Sequence, residues 1–215
     1  MESKLKKNYD IPLEDEQFLW HALKLGDATA LSSLFKKYYR DLFFYGLKLT
    51  GNQDLVADTI QDVFATIWET RKKISEVTHV KAYLCAALRN NLLRSNPRDI
   101  FIKTENTKGL GKDYVFDISP EEIYLEKETQ LENAKIIEDL LANLSPKQRE
   151  IIYLKFYGNY SNIEISSILS IKQQSVANLL LRTLSLLRKA TKEKNSPILN
   201  LLLFYTLSII ATNLS

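Results

Sequence analysis

Leu144-Ser145-Pro146-Lys147-Gln148-Arg149-Glu150 opens the stretch that decides the fold, which runs on through Ser161-Asn162-Ile163-Glu164 to Lys172-Gln173-Gln174-Ser175. Ser145 is a good N-cap and Pro146 fits the first helical position, so a helix starts here. Ile151, Ile152, Leu154 and Phe156 carry it forward, and Gly158-Asn159 ends it. Ser161-x-x-Glu164 is a capping box that opens a second, short helix, expected to stop near Leu169. After Ser170-Ile171-Lys172 a longer third helix follows, with Val176, Leu179, Leu180, Thr183, Leu184 and Leu187 on one face. A short helix, a tight turn and a long polar-tipped helix are the parts of a helix-turn-helix major-groove reader.

Outside this stretch the same helical period prevails, and no run of alternating strand residues stands out. The expected fold class is therefore all-α, with two helical domains joined by a flexible acidic linker. The first domain is read over 13–95, the linker over 96–130, the helix-turn-helix domain over 131–194 and an apolar C-terminal tail over 195–215. Gly51 suits a left-handed helix end. A helix from about Gln53 to Thr70 and another from about Val80 to Arg94 follow it. Asn96-Pro97, Gly109, Gly111 and Ser119-Pro120 break the linker, and an acidic helix over about 121–143 leads into the second domain.

The net charge of +3 is too small to announce a nucleic-acid binder, but its distribution is uneven. Residues 71–98 carry seven Lys/Arg and one Glu, a net of +6. Residues 113–142 carry two Lys and nine acids, a net of −7, and residues 143–194 carry nine Lys/Arg and three Glu, again +6. Basic blocks attract phosphate, in a manner that salt weakens. A single cysteine, Cys85, excludes an internal disulfide framework and fits a reducing compartment. With no basic start followed by an apolar run, no secretory signal is read, and a cytoplasmic location is expected.

The helix over 53–70 has two faces. Val56, Ile60, Val63, Phe64 and Ile67 form a core stripe, while Asp54, Asp58, Gln61, Asp62 and Glu69 line the other side. The plain reading is a solvated surface. An acidic face beside a basic block does not suit DNA, so a ligand there would be a basic protein surface. The next segment interleaves Arg71, Lys72, Lys73, Lys81, Arg89, Arg94 and Arg98 with Trp68, Tyr83, Asn90 and Asn91. Cations hold phosphates, rings stack on unpaired bases and amides read base edges. The plain alternative is that the cations are solvated and the rings belong to the core.

The string Ala57-Asp58-Thr59-Ile60-Gln61-Asp62-Val63-Phe64-Ala65-Thr66-Ile67-Trp68 resembles the core-binding helix of bacterial sigma-70-type factors, and specifically of the small extracytoplasmic-function (ECF) subfamily. Arg71, Lys81-Ala82-Tyr83-Leu84 and Ala87-Leu88-Arg89-Asn90-Asn91 continue the likeness. Upstream, Gly26-Asp27, Ala30-Leu31, Leu34-Phe35 and Tyr38-Tyr39 fit the start of the same domain; downstream, Leu144–Glu150 and the helix-turn-helix resemble the second. The resemblance implies that Asp58, Gln61 and Asp62 dock on core RNA polymerase. It implies that Arg71, Lys72 and Lys73, with Lys81, Tyr83, Arg89 and Asn90, recognise and open the −10 element of promoter DNA. It implies that Lys172, Gln173, Gln174, Ser175, Asn178 and Arg182 read the −35 element as duplex. An anti-sigma factor is a further partner implied by the family. Three positions depart from the usual pattern: Lys172 stands at the cap of the recognition helix, Ser170 in the turn and Ser166 in the second helix.

His21 and His79 have no neighbouring Cys/His set, so no metal is expected, nor any cofactor or enzymatic activity. Cys85 reads as a buried small side chain. The apolar run Ile198–Ala211 is shorter than the ~20 residues of a membrane span. It reads as a terminal packing helix or as a contact for a partner or membrane surface. The function expected is that of a sigma factor directing promoter-specific initiation. The alternatives are a stand-alone helix-turn-helix regulator binding duplex DNA and a helical interaction protein that binds no DNA.

Overall fold

The computed structural model describes residues 15–95 and 143–193. The linker over 96–130, the acidic helix that follows it and the tail over 195–215 lie outside the described residues. Among the described residues the regular structure is helical throughout.

Helix boundaries follow from local chemistry. Asp15 accepts hydrogen bonds from the amides of Gln17 and Phe18 and so caps α1, Glu16–Lys24. Gly26, at φ +96°, turns the chain, and Asp27 caps α2, Ala28–Thr50. Gly51 ends α2 in the left-handed region at φ 67°, and the Asn52 side chain accepts from Leu55 N–H to start α3, Gln53–Thr70. Helix α4 spans Val80–Ser95.

In the second domain Ser145 and Gln148 form a reciprocal capping box at the head of α5, Pro146–Ile152. One wider π-turn, Tyr153–Tyr157, continues α5. Ser161 and Glu164 make a second capping box that opens α6, Asn162–Leu169. Ser170 adopts φ 53°, the left-handed conformation where glycine fits with less strain, and α7 runs Gln173–Glu193. The fold is all-α, with a four-helix domain followed by a helix-turn-helix domain. No helix among the described residues is long and apolar enough to cross a membrane.

The two domains share a core. Trp20, Leu23, Leu34, Leu42, Ile60, Leu84, Leu88 and Leu92 fill the first, and the same cluster continues into Ile151, Leu154, Ile165, Ile168, Val176 and Leu180 of the second. Helix α4 is the seam. Its Leu84, Leu88 and Leu92 are fully buried, and α4 packs against α2 and α3 on one side and α6 on the other. Its buried Val80, Ala82, Leu84, Cys85, Leu88 and Leu92 are spread over more than one face, as two covering neighbours require. The expectation of two modules on a tether therefore gains a direct contact that the sequence did not announce.

Candidate functional site

Helix α3 presents the acidic surface read from its sequence. Val56, Ile60, Val63, Phe64 and Ile67 are buried, which fixes the rotation of the helix. Asp54, Asp58, Gln61, Asp62 and Glu69 consequently face solvent. Asp58 and Asp62 stand one turn apart and reinforce each other's negative field.

The loop after α3 is tied down. The Arg71 guanidinium lies 4.2 Å from the Trp68 ring centroid and donates through Nη1 to the Trp68 carbonyl at 2.6 Å. Trp20 Nε1 donates to the Ser75 carbonyl at 3.2 Å, and Gln17 Nε2 donates to the Thr78 carbonyl at 2.7 Å. Lys24 pairs with Glu76 at 2.6 Å. Helix α1 thus holds the loop against the domain and leaves Lys72 and Lys73 exposed. These anchors lie more than fifty residues apart in sequence, so no local pattern signals them.

On α4 the sequence-selected residues separate. Asn90 is exposed. Tyr83 packs edge-on against Trp20, centroids 5.2 Å apart. Lys81 Nζ pairs with Asp41 at 2.6 Å and lies 5.2 Å from the Tyr160 ring. Arg89 is engaged by Glu150 of α5: Nε donates to Oε1 at 2.8 Å and Nη2 to Oε2 at 3.3 Å. Tyr45 of α2 donates its hydroxyl to the same Oε1 at 2.8 Å. The Glu150 side chain is 1% exposed and that of Arg89 is 13% exposed, so the pair is almost shut off from water.

The electrostatics fit a closed pocket. Burial, and then the Glu150 charge, push the Tyr45 phenol well above its ordinary range, so it stays a donor. Burial weighs against the Arg89 charge, but the hydrogen bonds and charge of Glu150 prevail and raise its pKa. Next to this pocket the Cys85 Sγ and Tyr160 Oη are 2.9 Å apart and buried. Burial pushes the Cys85 thiol up to about 12. His79 Nδ1 lies 3.5 Å from Glu164 Oε1 at the rim. Sequence reasoning missed Glu150, because its partners lie 61 and 105 positions away.

Helix α7 displays its polar tip. Lys172, Gln173, Gln174, Ser175, Asn178 and Arg182 are all exposed, while Val176, Leu180, Thr183 and Leu184 are buried. Gln174 Nε2 donates to Asn178 Oδ1 at 3.4 Å, a long contact that a better acceptor displaces easily. Leu181, 60% exposed, adds an apolar group to this surface.

Comparison with known proteins bears on all these surfaces. The Sigma-70 region 2 family model matches residues 34–96, and the Sigma-70 region 4 family model matches residues 134–187. The ECF RNA polymerase sigma factor SigL of Mycobacterium tuberculosis is 22% identical over 168 residues, which cover 78% of this chain and 92% of SigL. The chain belongs to the ECF subfamily of sigma-70 factors. Among solved structures, CnrH in complex with the cytosolic domain of CnrY aligns with a TM-score of 0.55 at 17% identity, covering 84% of this chain and 99% of CnrH. That likeness shows a shared fold. The sigma factor RpoE of Bartonella quintana, solved with the anti-sigma factor NepR, aligns with a TM-score of 0.49 at 19% identity over 75% of this chain and 96% of that one. In this sigma factor the region 2 match takes in α3, the basic loop and α4, and the region 4 match takes in α5, α6 and α7 up to residue 187.

Proposed function

We propose that this sigma factor binds core RNA polymerase through Asp58, Gln61 and Asp62, opens the −10 element with α4 and the loop before it, and reads the −35 element with α7. The observation that carries the reading is the order and exposure of three unlike surfaces: an acidic face on α3, a basic loop beside it and an amide-rich helix tip on α7. Carboxylates suit a basic protein surface and repel a phosphate backbone. Lys72 and Lys73 are free to hold phosphates, while Arg71, Lys81, Tyr83, Arg89 and Asn90 supply further cations, a ring and an amide for an unpaired strand. Unstacking a base costs a few kcal/mol, which contacts of this kind offset. No covalent step is required.

On α7, Gln173, Gln174 and Asn178 match the donor and acceptor pattern of adenine edges, and Lys172 and Arg182 match phosphate or guanine. Ser175 supplies a hydroxyl at the same tip. With so few cations this domain binds weakly alone, and attachment to polymerase raises its effective concentration at the promoter. The working domains on this reading are 13–95 for polymerase and the −10 element, 96–130 for the linker, 131–194 for the −35 element and 195–215 for the apolar C-terminal tail. The site of action is the cytoplasm, where polymerase meets the chromosome. CnrH is held by the cytosolic domain of another protein. By analogy an anti-sigma domain is the partner expected to restrain this chain.

Run-off transcription with core polymerase and genomic DNA, followed by mapping of the start sites, tests the reading. Discrete new start sites sharing −10 and −35 sequences are expected. Tight specific duplex binding without polymerase, and no initiation with it, would replace this reading with that of a stand-alone regulator.

A further inference from the structure

Helix α1 carries none of the residues assigned above to polymerase or DNA, yet three of its side chains reach the loop between α3 and α4. Gln17 Nε2 donates to the Thr78 carbonyl at 2.7 Å, Trp20 Nε1 donates to the Ser75 carbonyl at 3.2 Å, and Lys24 Nζ pairs with Glu76 at 2.6 Å. These residues stand at i, i+3 and i+7, so one face of α1 makes every tie. Trp20, fully buried, also meets Tyr83 of α4 edge-on. One indole therefore touches both the basic loop and the ring assigned to the unpaired strand. Ile74 and Val77 tuck against the core between exposed Ser75, Glu76 and Thr78. Gln17 and Glu76 are exposed, so the outer ties add little to core packing and serve to place the loop.

We infer that Gln17, Trp20 and Lys24 are positioning residues for promoter opening: α1 braces the loop in one fixed placement beside Tyr83, and that rigidity sets how strictly the bases of the −10 element are told apart. This inference rests on the promoter-opening reading of the loop and α4. An untied loop would have to be ordered each time a strand bound, at a cost in conformational entropy that every base meets alike. Such a loop could also adjust to a wrong base. A loop ordered beforehand bears that cost in folding and offers the wrong base a misfit instead. Lys24 has a second effect. Glu76 shares the loop with Lys72 and Lys73, and a bare carboxylate there would repel the phosphates that those lysines attract. Pairing with Lys24 mutes that repulsion. On this account none of the three residues touches DNA; they act through the loop.

The test uses the full chain with core polymerase, in run-off transcription from a mapped promoter and its single-base −10 and −35 variants. Wild type is compared with Trp20→Phe, which keeps a ring but loses the indole N–H, and with the surface pair Gln17→Ala and Lys24→Met. Preference for the native −10 bases is expected to fall about tenfold in both variants, while the −35 preference, co-elution with polymerase and helical circular dichroism stay at wild-type levels. Lys24→Arg, which still pairs with Glu76, is expected to keep the −10 preference. Amide hydrogen exchange over residues 72–79 of the free chain, read by mass spectrometry, is expected to quicken about tenfold in the two variants and not in Lys24→Arg. An unchanged −10 preference in a chain that initiates would overturn the brace and leave the promoter reading standing, whatever the exchange rate. Equal losses at −10 and −35 would overturn it too, as the mark of general destabilisation. Should Trp20→Phe fail to fold, the surface pair decides by the same criteria. A wild-type chain that initiates nowhere overturns the promoter reading, and the role of the brace with it.

Discussion

Two residues at the packed centre of the first domain set its tolerance to change. Gly46 lies in α2 where a Cβ would sit 2.7 Å from Val56 Cγ1 and 3.0 Å from Cγ2. Gly46→Ala gains about 0.5–1 kcal/mol of helix preference. Crowding against α3 costs about 1–3 kcal/mol, so the crowding wins. The variant is expected to lose about 1 kcal/mol, read as a thermal midpoint a few degrees lower. A midpoint at or above wild type would show that Val56 yields freely. Cys85 makes a prediction about pH. Its thiol is raised from an ordinary 9.0 to about 12 in the folded chain. A thiol held neutral by folding contributes stability that is fully present below pH 9 and is lost as pH climbs through 9 toward 12. By pH 10 the loss from this group is about 1.4 kcal/mol. Cys85→Ala is expected to flatten the alkaline fall in urea stability by about that amount, and an unchanged slope between pH 8 and 10 would show that the thiol ionises freely.

At the scale of elements, the turn between α6 and α7 holds a small reserve of strain. Ser170 sits at φ 53°, which costs a residue with a Cβ about 1–2 kcal/mol. Glycine relieves that strain but gives back about 0.5–1 kcal/mol in chain entropy. Ser170→Gly is therefore expected to stabilise the chain by about 0.5–1 kcal/mol, seen as a higher urea midpoint with no change in slope. A lower midpoint would mean that the serine side chain holds the turn. The ends of these elements were legible because their signals are local: Gly51 before α3, Ser145 with Pro146 at α5, and Ser161 with Glu164 at α6 all act within three residues. The acidic and apolar faces of α3 were legible for the same reason, since one helical period separates them. The π-turn Tyr153–Tyr157 was not, because its shape goes with ring stacking onto Tyr45 over a hundred positions upstream. The break between α1 and α2 was equally hard to place, as apolar residues continue on both sides of Gly26.

For the whole molecule, the exposed carboxylates of α3 make a prediction separable from folding. Asp58→Lys together with Asp62→Lys reverses the charge of a solvent-facing surface and touches no core residue. Co-elution with core polymerase is expected to weaken at least about tenfold while helical content stays level. Undiminished co-elution would remove α3 from the docking surface. The family membership was legible in motifs spread over both domains, whereas the seam between them was not. In sequence Glu150 reads as one more charge on a short helix. Its burial depends on Tyr45 and Arg89 converging from α2 and α4. That burial changes how the protein would travel in a cell. Chromosomal DNA presents an enormous excess of anonymous sites to any chain with bare cations. Pairing Arg89 from within withdraws one guanidinium from that competition while Lys72, Lys73, Lys172 and Arg182 stay open to it, so a single carboxylate trims the pull of the chromosome without cancelling it.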